Sequence, residues 1–144
     1  MGTKQHPTVL VIDAQGGGLG KQLIAGIRRE LRDVRILAVG TNTAATAAML
    51  KAGADEAATG ENSVAVACRQ ADYILGPLGI VIADSMLGEI TPAMARAVAG
   101  AAAYRILIPF ANCDNYLAGV SDYGTARLLQ DAIERLKKVL SNAE

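Results

Sequence analysis

The chain has 144 residues, 14 Lys+Arg balanced by 14 Asp+Glu, and a 51% hydrophobic content. That length suits one domain over residues 1–144, burying roughly 70% of its unfolded surface without a disulfide or metal staple. Zero net charge leaves no basic footprint for nucleic acid, and four Tyr, one Phe and no Trp give no stacking platform for single strands.

Thr8–Ile12 is a continuous apolar run rich in β-branched residues, which predicts a strand buried on both faces. Asp13–Gly18 predicts a turn. After it Leu19, Leu23, Ile24, Ile27 and Leu31 recur at helical spacing, with Arg28, Arg29, Glu30 and Arg32 opposite. Val34–Val39 predicts a second strand, parallel to the first through a right-handed crossover. Asn42 or Thr43 caps a second, Ala-rich helix to about Lys51, ended by Gly53. A short strand is expected near Glu56–Ala58, and Glu61-Asn62-Ser63 opens a third helix to about Gln70. Ala71–Leu75 predicts a strand that stops at Gly76-Pro77, whereas Ile80–Ala83 fits either a strand or the start of a buried helix. Thr91-Pro92 pairs a hydroxyl cap with Pro at the first helical position, for a helix to about Ala102. Arg105–Pro109 predicts another buried strand and Tyr123–Asn142 a final helix. Leu129, Ala132, Ile133, Leu136 and Leu140 face inward on that helix, and Asp131–Arg135 and Glu134–Lys138 form exposed i,i+4 pairs. This alternation predicts a three-layer, Rossmann-like α/β domain with a doubly wound parallel sheet.

Met1–Pro7 is short and polar, unlike a signal peptide. The longest apolar stretch, Tyr73–Ala83, is broken by Gly76, Pro77 and Gly79 and is too short to span a bilayer. Cys68 and Cys113 are far apart, with no CxxC and no nearby His, so no zinc site is expected. A cytoplasmic, reducing location follows, with no membrane partner.

Gly16, Gly17, Gly18 and Gly20 lie between a buried strand and an amphipathic helix, where bare N–H groups meet an anion in sheets of this class. No standard spacing is complete. A GxGxxG frame from Gly16 ends on Lys21, a GxxxGxG frame begins on Ala14, and a P-loop frame reaches Gly20-Lys21 but has Gln15 and Gln22 where Gly and Ser/Thr belong. The placement therefore points to a nucleotide or small phosphorylated ligand, held by Asp13, Gln15, Gly16, Gly17, Gly18, Gly20 and Lys21, while the alternative is that the glycines only allow close packing. The second strand ends Gly40-Thr41-Asn42-Thr43, without the carboxylate that binds ribose hydroxyls in NAD sites. Thr41 and Asn42 are the ribose-side candidates, and NADP is favoured over NAD if a dinucleotide binds.

Polar residues also collect where the other strands end: Thr59-Gly60-Glu61-Asn62 and Asn112-Cys113-Asp114-Asn115. Asn112 joins the ligand-binding candidates; Asn42, Glu61 and Asn62 also sit where helix caps belong. In the apolar run Gly79–Pro92, Asp84 and Glu89 are the two carboxylates. With Asp114 they are candidate acid/base groups, the alternative being a helix-start carboxylate at Glu89 and an Arg96 or Arg105 partner for Asp84. The same run is a candidate homodimer interface. No His-based triad is expected from the lone His6, and Tyr123 with Arg127 has the spacing of a YxxxK pair without its lysine.

The segments from Asp13 to Lys21, Gly40 to Asn42, Lys51 to Glu56, Ala58 to Asn62, Ile80 to Ser85, Leu87 to Pro92 and Asn112 to Asn115 together resemble a family of short Rossmann-like bacterial proteins, a domain of unknown function. That family's turn usually reads DGQGGGIGK, from which Ala14 departs. The resemblance spans nearly the whole chain and implies the architecture; it implies no activity. The leading expectation is a small sensor or accessory protein that binds a nucleotide or phosphorylated ligand. A small enzyme using Asp84, Glu89 and Asp114, and a dimeric interaction protein without a ligand, are the alternatives.

Overall fold

The computed structural model describes residues 6–109, 115–120 and 124–143. Strand β1 (Thr8–Asp13), helix α1 (Gly18–Glu30), β2 (Arg35–Gly40), α2 (Thr43–Lys51), β3 (Glu56–Thr59), α3 (Glu61–Gln70), β4 (Tyr73–Pro77), α4 (Pro92–Ala99), β5 (Tyr104–Ile108) and α5 (Thr125–Asn142) follow in order. The strands form one sheet in the order β3-β2-β1-β4-β5, and every pairing is parallel. This is the Rossmann-like, doubly wound arrangement read from the strand–helix alternation. Its direction reverses between β1 and β4, which opens a crevice at the C-terminal edge.

The strand period divides the core into two layers. Val9 and Val11 of β1 pack with Leu23, Ile24 and Ile27 of α1, Met49 of α2, and Leu129, Ile133 and Leu136 of α5. Leu10 and Ile12 face the other way, onto Val64 and Cys68 of α3 and Met94 and Val98 of α4. The N-cap residue of helix α1, Gly17, offers no side chain, and the first turn holds no acidic residue. Leu23, Ile24 and Ile27 are fully buried. At about 1.5–3 kcal/mol each, they outweigh the ~1 kcal/mol that a cap supplies. The caps read at Asn42 and Thr91 are present: Asn42 Oδ1 accepts from the Ala45 N–H at 2.9 Å, and Thr91 Oγ1 from the Met94 N–H at 3.1 Å.

Three local expectations change. Ile80–Ala83 is neither strand nor α-helix; Leu78–Val81 make one turn of 3-10 helix, and the chain then folds back over Gly79. A Cβ on Gly79 would lie 2.7 Å from Met86 Cε, and Ser85 Oγ donates to the Gly79 carbonyl at 2.6 Å. Helix α4 ends at Ala99 rather than near Ala102, because β5 starts at Tyr104 to pair with Tyr73. The chain turns between them, held where Arg105 Nη1 donates to the Ala101 carbonyl at 2.7 Å. On α5, Glu134 accepts from Gln130 at 3.0 Å and lies 3.7 Å from Lys137. Lys137 also reaches Glu30 of α1 at 3.3 Å, and these contacts stand among the described residues in place of the expected i,i+4 pairs.

Candidate functional site

The crevice at the β1–β4 reversal is a cleft of about 1000 Å³. One wall is the turn from Asp13 to Leu19; the opposite wall runs from Pro77 and Gly79 to the loop from Ile82 to Leu87, and Gln22, Asn115 and Thr125 complete the described lining. The loop walls concentrate left-handed backbone outside glycine. Gln15 has φ 53°, Asp84 64°, Met86 55° and Leu87 58°. Such conformations are uncommon for residues with a Cβ and gather at ligand clamps and active sites.

The four glycines of the turn divide into two pairs. Gly17 has φ 73°, and a Cβ there would stand 2.9 Å from Ala45 Cα and 3.0 Å from its carbonyl oxygen. A Cβ on Gly20 would meet Met49 Sδ at 2.6 Å and Asp13 Cβ at 2.9 Å. Both are demanded by packing of the turn. Gly16 and Gly18 have nothing within 4 Å of a Cβ position and line the cleft. Their lack of a side chain leaves the backbone N–H groups at the start of α1 open to an approaching group.

Asp13 is 5% exposed at the end of β1. Its Oδ1 accepts the Ala14 N–H at 2.8 Å and its Oδ2 the Gly20 N–H at 2.7 Å. The carboxylate thus caps α1 from the preceding strand. Burial pushes its pKa upward; the two N–H bonds oppose that push and the charge of Glu89 adds slightly to it. One donor of the helix start is consumed internally, and Lys21 N–H is bonded to the Gly17 carbonyl at 2.9 Å. The Lys21 side chain is exposed and does not line the cleft.

Thr41 and Asn42 meet Glu89, an association with no counterpart in the linear pattern. Glu89 Oε1 accepts from Thr41 Oγ1 at 2.6 Å, the Gln15 N–H at 2.8 Å and Asn42 Nδ2 at 2.9 Å. Asn42 Nδ2 also donates to the Gln15 carbonyl at 2.9 Å. The Thr41 hydroxyl, foremost, holds the Glu89 carboxyl below its ordinary pKa against the opposing effect of burial, aided by Gln15 N–H and Asn42. The carboxylate missing from the end of β2 therefore arrives from the loop before α4, 48 residues beyond Thr41. Glu89 is not a helix-start group, since α4 is capped by Thr91. Its interruption of an apolar run was the only signal in the sequence, and that signal names no partner.

Asp84 is exposed and lines the cleft; its N–H donates to the Ile90 carbonyl at 2.7 Å. Arg105, one expected partner of Asp84, instead donates to backbone carbonyls of Val98, Ala101 and Ala103. The apolar run splits, with Ile80 and Ile90 wholly buried and Leu87 97% exposed. Asn112, Cys113, Asp114 and Tyr123 lie outside the described residues. Among those described, no cluster of His, Cys, Asp and Glu could hold a metal, and no helix is long and apolar enough to cross a membrane.

Strand order, reversal point and glycine turn together define a protein of the Rossmann-like, doubly wound class. The chain belongs to the family DUF3842, a domain of unknown function, whose model matches residues 8–141. No curated protein matches it. Among solved structures it is similar to the D-arabinose dehydrogenase from Sulfolobus solfataricus, at 13% identity and a TM-score of 0.49 over 93% of this chain. It spans 43% of that structure's chain.

Proposed function

We propose that this protein binds a small phosphorylated or nucleotide-type ligand in the β1–β4 cleft and serves as a small sensor or accessory protein. The observation that carries the reading is the pair Gly16 and Gly18, which border a cleft at the sheet's reversal point with open space where side chains would stand. Phosphate oxygens suit such a place because the first N–H groups of a helix lack intrahelical acceptors and its dipole favours negative charge. Asp13 already neutralises part of that end, so the donors left for a ligand are those of the turn itself, about Gly16 and Gly18. An acid/base role for Glu89 is disfavoured because its Oε1 already accepts three hydrogen bonds and its side chain is not part of the cleft lining, whereas Asp84 lines the cleft and stays available to a ligand.

The test is a thermal-shift panel of AMP, ATP, NAD(H), NADP(H), coenzyme A and S-adenosylmethionine, with and without magnesium. A compound at ~100 times its Kd adds about 2.7 kcal/mol of stability, or roughly 5–10 °C for a chain of this length. Gly18→Val fills the open space and is expected to abolish the shift while the unliganded protein stays folded. A flat panel, or a Gly18→Val protein with unchanged affinity, would remove the glycine turn as a ligand site.

A further inference from the structure

In doubly wound sheets an extended dinucleotide crosses the end of β1 and rests one ribose on the end of β2. Here that second resting place is bridged by protein. Glu89 Oε1 ties Thr41, Asn42 and the Gln15 N–H together at 2.6–2.9 Å. The tie is anchored on each side. Asn42 also caps α2 through Ala45, and the loop carrying Glu89 is closed by Gly88 N–H to the Asp84 carbonyl (3.2 Å) and Glu89 N–H to the Met86 carbonyl (3.2 Å). Ile90, the next residue, is wholly buried and holds the loop to the core.

The cleft follows the same division. Its lining comes from the Asp13–Leu19 turn, the Pro77–Leu87 segment, Gln22, Asn115 and Thr125, with no residue from the end of β2 among those described. Among the described lining residues there are two carboxylates, Asp13 and Asp84, and no Lys or Arg. Backbone N–H groups can seat a phosphate there, and no side-chain cation among the described lining residues adds to them.

We infer that Glu89 is a specificity-determining residue: with its Oε1 already taken by three donors it closes the β2 side of the crevice, so that the cleft takes a compact ligand such as a nucleoside monophosphate and excludes dinucleotides, which lie extended across the end of β2. This rests on the ligand-binding reading above and narrows it.

Isothermal titration of AMP, ribose 5-phosphate, NAD and NADP into the wild-type protein, Glu89→Ala and Thr41→Val tests it. Wild-type protein should bind AMP or ribose 5-phosphate at least about tenfold more tightly than either dinucleotide. Glu89→Ala should keep the monophosphate and narrow the gap by gaining NAD; Thr41→Val, which removes the shortest bond of the bridge, should move the same way by a smaller factor. Wild-type protein that binds NAD or NADP as tightly as AMP overturns the inference while leaving the cleft as a ligand site, and this arm does not depend on either variant folding. An unchanged preference in a folded Glu89→Ala protein overturns it equally. Binding of none of the four probes to any of the proteins removes the ligand site itself, and the inference with it.

Discussion

Gly17 and Gly18 are adjacent, yet substitution by Ala should separate them sharply. Gly17→Ala forces a Cβ onto left-handed backbone, which costs about 1–2 kcal/mol. The new atom would lie 2.9 Å from Ala45 Cα, 3.0 Å from the Ala45 carbonyl and 3.3 Å from Ala48 Cβ. The two nearest are backbone atoms of α2, at a residue with no exposed surface, so relief requires a helix to move rather than a side chain to rotate. Overpacking of that kind costs roughly 1–3 kcal/mol. The reduced entropy of the unfolded chain returns about 0.4–1 kcal/mol, leaving a net loss of about 1–4.6 kcal/mol. With unfolding entropy near 2.1 cal/mol/K per residue, each kcal/mol is worth about 3 °C at this length, so Tm should fall by roughly 3–14 °C. Gly18→Ala meets nothing within 4 Å and should change stability by at most about 1 kcal/mol, in the stabilising direction. Urea unfolding followed by circular dichroism measures both. A Gly17→Ala protein within 1 kcal/mol of wild type, or a Gly18→Ala protein that loses as much as Gly17→Ala, would refute the packing account of the turn.

Three further outcomes are expected. Asp13→Asn, although nearly isosteric, should lose about 1–3 kcal/mol, because its amide NH2 must face the Ala14 or Gly20 N–H in place of an accepting oxygen; equal urea midpoints would show that the cap is dispensable. Glu89 has its pKa held below 4.5 in the folded state, so its stabilising contribution is complete above pH 4.5 and is lost as pH falls through the depressed folded value. The stability difference between wild type and Glu89→Gln should accordingly narrow on acidification below pH 4.5, and a difference that widens there has the wrong sign for the bridge. Cys68 is buried and its thiol is pushed up to about 11 by burial, so in a Cys113→Ser background the folded protein should resist a thiol reagent at pH 8 and react on addition of denaturant. Rapid labelling of the native protein would contradict the packing of α3 on the sheet.

The regular elements were legible because their signals are local. Continuous β-branched runs such as Thr8–Ile12 can only be satisfied between two layers, and the Leu19–Leu23–Ile27 stripe can only face one. Asn42 and Thr91 announce their helices because a cap reaches just three residues along the chain. The segment from Leu78 to Leu87 was not legible: its apolar residues fit a strand or a helix equally, and what decides between them is the packing of Met86 and Ser85 against Gly79.

For the candidate site, the sequence by itself determined that glycines, Asp13 and Gln15 follow the first strand, and hence that they stand at the ligand edge of a parallel sheet. Only the tertiary structure decided their parts. It made Gly17 and Gly20 necessary for packing and left open space at Gly16 and Gly18 on the cleft wall, because the difference lies in whether α2 and Asp13 stand behind each Cα. It also gave the end of β2 its carboxylate from Glu89. A polar side chain's partner is set by which loops the sheet brings to one edge, and no periodicity along the chain carries that distance.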